Sequence, residues 1–153
     1  KAFLQASLEN TKLILAGEGP LMSNAANENI IFLGKVPNKG VLQLMKISSL
    51  FVFLTKYEGM PNVLKEAGAM KLPIITTKVG GIPELLNNGE RGIILKDTEI
   101  ETIVSSMKSF IEDPSDSILK SERLFQHISE EYDLGRNSKK LIQIYYKLLS
   151  TKY

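Results

Sequence analysis

The chain lacks cysteine and tryptophan, has one histidine, and contains no apolar stretch long enough to cross a membrane. Without cysteine it has no disulfide framework, no zinc–cysteine site and no thiol nucleophile. A cysteine-free composition is typical of a reducing compartment, so we expect the protein in the cytoplasm. A membrane-spanning helix needs about 20 mainly apolar residues, and no segment of that kind occurs.

The sequence also lacks an excess of charge of either sign. It has 19 Lys and Arg against 17 Asp and Glu, for a net charge of +2. Its lysines are spread along the chain without a basic cluster interleaved with aromatic residues, so we expect no nucleic-acid partner. The single histidine, His127, has no acidic partner at a useful spacing, and no metal-ligand pattern occurs. We therefore expect neither a catalytic histidine nor a metal site.

Short apolar runs alternate with amphipathic stretches, which predicts parallel strands linked by helices. The predicted strands are Leu13–Ala16, Ile30–Leu33, Leu50–Leu54, Ile74–Thr76 and Gly92–Leu95. The predicted helices are Lys1–Glu9, Lys39–Lys46, Pro61–Met70, Pro83–Leu86, one that follows Asp97 and ends at Asp113, Ser117–Glu131 and Gly135–Leu149. The fold class expected is α/β, with a Rossmann-like parallel sheet and helices on both faces.

The last predicted helix is apolar around more than one narrow stripe. Its large apolar residues are Leu141, Ile142, Ile144, Tyr145, Leu148 and Leu149. A helix that packs against a single partner needs a narrower apolar face. We expect part of this surface to be exposed in the chain taken alone.

The segment after the third predicted strand carries the most functional information. Glu58 lies in a Gly/Pro turn, and Glu66 follows eight positions later inside the next helix. Pro61 suits the first helical position, because its missing N–H would have no partner within a helix. The backbone amides that follow are unpaired at the helix start and attract anions, above all phosphate. The segment predicts a site for a ligand with a diphosphate between two hydroxyl-rich groups.

The segment from Glu58 to Ala67 resembles the Glu-seven-Glu motif of the group 1 retaining glycosyltransferases, which have the GT-B fold. The resemblance continues in the family's order and spacing from about Lys12 to Leu95. Its other parts are Leu15–Pro20, Ile31–Val36, Pro73–Thr77, Gly80–Leu85 and Asn88-Gly89 with Gly92–Leu95. One glycine turn would be weak evidence, whereas ordered motifs around a glutamate pair are specific.

The resemblance implies roles for individual residues. Glu58 is the residue assigned to the reaction centre, where its acceptor-only carboxylate would bind hydroxyls of the donor sugar. Glu66 would hold the ribose hydroxyls. Gly17 and Gly19 would form a turn at the carboxyl end of a strand, and Val36 would contact the base. The residues expected to act through their backbone at the sugar and diphosphate are Gly59, Met60, Pro61, Asn62, Val63 and Leu64.

One of these positions has a competing structural interpretation, and one further position departs from the family's pattern. For Leu64, packing in the core explains the residue at least as well as ligand contact. Lys71 stands where the family usually has glycine at the end of a helix. A lysine there implies either a helix end outside the left-handed region or one under local strain.

The resemblance also implies what the chain is part of. Residues 1–153 would form a single donor-binding domain that lacks the N-terminal acceptor domain, its own first strand and a following loop with a basic pair. The whole enzyme would transfer a sugar, with retention, from a nucleoside diphosphate sugar to a glycan or lipid-linked acceptor in cell-surface polysaccharide synthesis. Any association with the inner face of the membrane would come through the missing half. We expect no cofactor beside the donor, and the chain alone to bind a nucleoside diphosphate without transferring sugar.

Three alternatives remain open at this point. A non-hydrolysing nucleotide-sugar epimerase shares the fold, although the spacing of the two glutamates argues against it. A dinucleotide-dependent oxidoreductase would need a third glycine where Met22 follows Gly17 and Gly19. A binding module could sense nucleotide sugars or dock a partner chain without catalysis. The base, the sugar and the acceptor are not identified by the sequence.

Overall fold

A computed structural model describes residues 1–19 and 27–150, so that Pro20 and Met22 lie outside the described residues. The strands are β1 (Leu13–Ala16), β2 (Ile30–Gly34), β3 (Phe51–Phe53), β4 (Ile74–Thr76) and β5 (Ile93–Ile94). The helices are α1 (Ala2–Ala6), α2 (Asn38–Ile47), α3 (Asn62–Ala69), α4 (Ile82–Leu85), α5 (Ile100–Glu112), α6 (Ser115–Glu131) and α7 (Leu134–Ser150). Every predicted element is present in the predicted order.

All strand pairs are parallel, which confirms the α/β fold class. The strands form two separate parts, a pair in the order β1-β2 and a three-stranded sheet in the order β3-β4-β5. In the three-stranded part Val52 is aligned with Ile75, and Ile75 with Ile93. The expected parallel sheet is therefore present, but it is divided into a two-stranded and a three-stranded part.

Helices cover both faces of the three-stranded part. Ile74 belongs to one apolar cluster, with Leu64 of α3 and Leu124 of α6. Ile75, the next residue, belongs to a second cluster, with Ala6 of α1 and Met107 of α5. Because consecutive side chains of a strand point to opposite faces, the two clusters lie on opposite sides of the sheet.

Several element ends differ from the predictions. The first helix ends at Ala6, because Ser7 adopts a left-handed conformation with φ of 49° and closes the turn onto Leu4. Strand β3 is shorter than Leu50–Leu54 by one residue at each end. The placement of Pro61 at the first helical position was wrong: with ψ of 122° it is the N-cap, and α3 begins at Asn62.

Of the two conformations expected for the helix end at Lys71, the structure confirms the second, a helix end under local strain. Its φ is 55°, in the left-handed region that favours glycine. The amide of Lys71 donates to Gly68 O and the amide of Leu72 donates to Ala67 O, each at 3.0 Å, as in a Schellman helix end. The Lys71 ammonium lies 4.9 Å from the Phe125 ring centroid, a cation–π contact that favours this arrangement.

The last helix, α7, has no buried side chain. Its six large apolar residues named above are between 50% and 66% exposed, which agrees with the expectation that part of this surface is exposed. Among residues 1–19 and 27–150, no helix has the length and apolar character needed to span a membrane.

Candidate functional site

An open cavity of about 610 Å³ lies where β3 and β4 end. Its lining residues are Lys56, Tyr57, Glu58, Gly59, Val79 and Gly80. They follow the two strands at their carboxyl ends, where ligands bind in open α/β sheets. The volume falls within the range of small-molecule sites. The structure therefore places Glu58 and Gly59 in the lining of this cavity.

Threonine side chains hold the turn that carries Glu58. The Thr77 hydroxyl donates to Thr55 O at 2.7 Å and accepts from the Thr55 amide at 3.2 Å. These bonds continue the contact between the two chain segments beyond the last paired residues of β3 and β4. The Thr55 hydroxyl in turn lies 3.4 Å from Glu58 Oε1, a long and weak contact. The Glu58 carboxylate therefore keeps most of its acceptor capacity.

A pair of glycines packs against the backbone of the same turn. Gly80 has φ of +52°, and a Cβ added to it would lie 1.9 Å from Glu58 O. The amide of Gly81 donates to Gly59 O at 2.5 Å. A side chain at position 80 would therefore displace the Glu58 turn. Although Gly80 and Gly81 belong to a motif noted in the sequence, their supporting role was not predicted.

In the part of the chain that the structure describes, the first backbone amides of α3, next to this turn, have no side-chain cap. Pro61 is buried at the N-cap, has no side-chain group able to accept a hydrogen bond, and caps no amide of the first turn. Asn62 is exposed, and Val63 is half-buried against the apolar core. Leu64 is fully buried at 0% exposure, so the core interpretation of its side chain is correct. For both Leu64 and Pro61, only the backbone is available to a ligand.

Glu66 lies on α3 beyond this first turn and is half-buried. The side-chain amide of Asn38, the first residue of α2, donates to Glu66 Oε1 at 3.0 Å. One carboxylate oxygen is engaged by this bond, and the other keeps its lone pairs for further donors. Asn38 was not predicted, because nothing in the sequence connects residues 28 positions apart.

Gly17 and Gly19 follow β1, and Val36 follows β2, so all three lie beyond the strands of the other part of the sheet. Gly17 has φ of +132°, and its amide donates to Gly34 O at 2.7 Å. Gly17 and Gly19 are exposed, and Val36 is half-buried two residues before Asn38. None of the three lines the cavity around Glu58. The contact from Asn38 to Glu66 brings the turn that carries Val36 towards α3.

The cavity has one cationic lining residue, Lys56, which is exposed. Lys65 of α3 instead lies 5.0 Å from the Tyr132 ring centroid. His127 is at a different place, edge-on to Tyr132 at 5.8 Å between ring centroids. Burial, and then the charge of Arg91, lower the pKa of His127 below its usual value of 6.5. No group of three or more His, Asp and Glu that could hold a metal ion occurs in the part of the chain that the structure describes.

The family model described as "Glycosyl transferases group 1" matches residues 1–127, which include every site residue discussed above. The chain belongs to this family. This membership argues against the epimerase and oxidoreductase alternatives.

Curated relatives of this group 1 glycosyl transferase chain are much longer than it is. It is 32% identical over 156 residues to N-acetyl-alpha-D-glucosaminyl L-malate synthase of Bacillus anthracis, with 92% of the chain covered. It is 26% identical over 148 residues to a Bacillus subtilis protein named as a teichuronic acid biosynthesis glycosyltransferase, with 97% covered. The chain spans 38% of the length of each.

Solved structures show the same fold. Anabaena HepE, crystallised with UDP and glucose, superimposes with a TM-score of 0.79 at 19% identity, covering 95% of this chain and 43% of that one. The C-terminal domain of the group 1 glycosyl transferase LpcC from Francisella tularensis gives a TM-score of 0.62 at 21% identity. That match covers 71% of this chain and 56% of the domain. The fold is thus that of GT-B glycosyltransferases, in agreement with the sequence-based expectation.

Proposed function

We propose that this chain is the donor-binding domain of a retaining glycosyltransferase and binds a nucleoside diphosphate sugar. The observation that carries the proposal is the arrangement of Glu58, the uncapped start of α3 and Glu66 along one short segment. Glu58 lies at the cavity, the start of α3 offers backbone N–H groups, and Glu66 is oriented by Asn38. This order matches a ligand with a sugar, a diphosphate and a ribose in sequence.

Each part of the proposed site has a distinct chemical task. The Glu58 carboxylate accepts hydrogen bonds from the sugar hydroxyls and positions the ring in the reaction centre. Amides at the start of α3, together with the helix dipole, stabilise the negative charge that develops on the leaving diphosphate. The free Glu66 oxygen accepts from a ribose hydroxyl. The binding of UDP and glucose by the similarly folded HepE supports a ligand of this class.

The acceptor and the remainder of the reaction belong to other parts of the polypeptide. We infer an acceptor domain N-terminal to this one and transfer with retention of configuration to a glycan or lipid-linked acceptor. The relative named for teichuronic acid biosynthesis supports a role in cell-surface polysaccharide synthesis. Any attachment to the inner face of a membrane is assigned to that other domain.

A thermal-shift panel of UDP, GDP, ADP and CMP tests the donor proposal. A ligand that binds only the folded state raises the melting temperature by mass action. We expect a selective increase for one nucleoside diphosphate and none for CMP, and a smaller increase in Glu66→Gln. The chain alone should transfer no sugar. The proposal fails if no nucleoside diphosphate raises the melting temperature, or if Glu66→Gln leaves the increase unchanged.

A further inference from the structure

A second, smaller cavity lies beside the cavity that contains Glu58. Its volume is about 190 Å³, and its lining residues are Lys78, Asn88, Ile94, Leu95 and Lys96. Lys78 immediately precedes Val79, which lines the first cavity, so the two cavities are neighbours at the carboxyl ends of β3, β4 and β5. Among the described residues, two lysines and no acidic residue line the second cavity. Its charge therefore favours an anion.

The strand register brings the two lysines together. Thr76 of β4 is aligned with Ile94 of β5, and Lys78 and Lys96 each follow this pair by two residues. The Leu95 amide donates to Thr76 O at 2.8 Å, which continues the contact beyond the aligned pair. Because neighbouring strands are about 4.8 Å apart, a single carboxylate or phosphate can contact both flexible ammonium groups.

Neither lysine has a strong ion pair within the described protein. Lys96 Nζ lies 4.0 Å from Asp97 Oδ2, and the Lys96 side chain is 81% exposed, so this pair contributes little. Lys78 is exposed and forms no ion pair with any residue in the ranges 1–19 and 27–150. Asn88, on the turn after α4, is also exposed and adds side-chain N–H donors. The cavity thus offers cations and donors without a matching protein anion.

An exposed aromatic ring lines the first cavity. The Tyr57 side chain is 90% exposed, although its backbone is held in the turn, where Tyr57 O accepts a hydrogen bond from the Thr55 hydroxyl at 3.3 Å. A tyrosine ring combines an apolar face with a polar hydroxyl, which suits a partner that is itself partly apolar and partly polar. A sugar ring is such a partner, because its C–H groups form an apolar face and its hydroxyls point outwards. Tyr57 is therefore suited to pack on a sugar that approaches Glu58 from solvent.

The proposed donor leaves the second cavity unoccupied. Its ribose is assigned to Glu66, its diphosphate to the start of α3 and its sugar to Glu58, and none of these lines the second cavity. For transfer to occur, the acceptor hydroxyl must come within about 3–3.5 Å of the donor sugar. The inferred acceptor domain would hold the rest of the acceptor, but its reacting end must lie beside Glu58. The second cavity is next to that position.

We propose that the acceptor is a negatively charged glycan, with Tyr57 packed on one of its sugar rings and Lys78 and Lys96 bound to its carboxylate or phosphate. The inference rests on the proposed function, since it requires a donor sugar at Glu58. It assigns a substrate class to the acceptor and gives specificity to the two lysines. A neutral glycan would leave both ammonium groups without an anionic partner.

NMR titration of the chain with a galacturonate trisaccharide and with its methyl ester tests the charge preference, because the two ligands share their sugar rings and differ in charge. The same comparison of glucose 6-phosphate with glucose tests a phosphate. We expect the anionic member of at least one pair to bind about two- to tenfold more tightly. Lys78→Gln with Lys96→Gln should remove this difference. Tyr57→Ala should weaken both trisaccharides by a similar factor.

Lys108→Gln with Lys139→Gln is the matched control, because it removes the same charge from exposed positions on α5 and α7. This control should keep the charge preference of the parent. No preference in either comparison, or an equal loss of preference in the two double variants, would overturn the proposal. Weaker UDP-glucose binding in Tyr57→Ala, with trisaccharide binding unchanged, would place the ring against the donor and would also contradict it.

Nucleotide binding separates this inference from the proposed function. UDP should raise the melting temperature of Lys78→Gln with Lys96→Gln as much as that of the parent. A normal increase with UDP and no charge preference would reject only the acceptor inference. A charge preference without any response to a nucleoside diphosphate would reject the donor function instead. Tighter binding of UDP-glucuronate than of UDP-glucose that depends on Lys78 and Lys96 would place the anionic group on the donor, which contradicts the assignment to the acceptor.

Discussion

The side-chain amide of Asn38 donates a hydrogen bond of 3.0 Å to Glu66 Oε1, joining the start of α2 to α3. The bond orients the carboxylate assigned to the ribose and occupies one of its two oxygens. It also ties the turn after β2, where Val36 lies, to the helix that carries Glu66. A residue without a predicted role thus connects two parts of the proposed nucleotide site.

Asn38→Ala should weaken nucleoside diphosphate binding by about two- to tenfold, because a typical hydrogen bond contributes about 0.5–1.5 kcal/mol. Stability should change little, since Asn38 is exposed. Calorimetric titration with UDP measures the effect. Gln43→Ala, an exposed residue of the same helix, is the control and should bind as the parent does. An unchanged affinity in Asn38→Ala would show that the bond does not position Glu66.

Gly80→Ala should destabilise the fold and disturb sugar binding together. Its left-handed φ of +52° costs about 1–2 kcal/mol for a residue with a Cβ, before the close approach to Glu58 O is counted. Gly59→Ala is a matched control for stability, since a Cβ there has no heavy atom within 4 Å. Urea denaturation of both variants compares the two costs. Equal unfolding free energies of the two variants would contradict both the cost of the left-handed conformation and that of the close approach.

His127 should make stability depend on pH near neutrality. Burial lowers its folded-state pKa below the usual 6.5, so the unfolded chain takes up the proton first as the pH falls. The stabilisation from the neutral ring is present above about pH 6.5 and decreases as the pH drops through and below that value. His127→Gln should therefore lose stability less steeply than the parent between pH 7.5 and 5.5 in urea denaturation. Parallel curves for the two proteins would exclude this contribution.

The sequence was sufficient for the elements whose ends are marked by local chemistry. Strand β4 matches its predicted bounds, because Pro73 precedes its apolar run and Lys78 lies soon after it. Helix α1 was predicted too long. The left-handed turn at Ser7 ends it, and the spacing of apolar and polar residues does not indicate such a turn. At its carboxyl end, strand β3 is shorter than its apolar run. There the Thr76 hydroxyl donates to Phe53 O and the Thr77 hydroxyl donates to Thr55 O, and these bonds replace the pairing between strands.

Only the part of the candidate site that lies on one continuous segment was predictable from the sequence. Glu58 and Glu66 share one continuous segment, so their relation follows from spacing. The contacts of Asn38 with Glu66 and of Gly80 with Glu58 are long-range, and a single sequence does not specify them. The division of the sheet into two parts is also not specified by a single sequence, because strand pairing depends on which segments meet in space.

The most direct test of the account is calorimetric titration of Glu58→Gln and Glu66→Gln with UDP and with UDP-glucose. A hydrogen bond to a charged group contributes about 1.5–3 kcal/mol, so its loss weakens binding roughly tenfold to a hundredfold. Glu66→Gln should weaken both ligands by that amount. Glu58→Gln should leave UDP nearly unchanged and weaken only UDP-glucose. Equal losses for both ligands in Glu58→Gln, or no loss in Glu66→Gln, would contradict the assignment of the sugar to Glu58 and the ribose to Glu66.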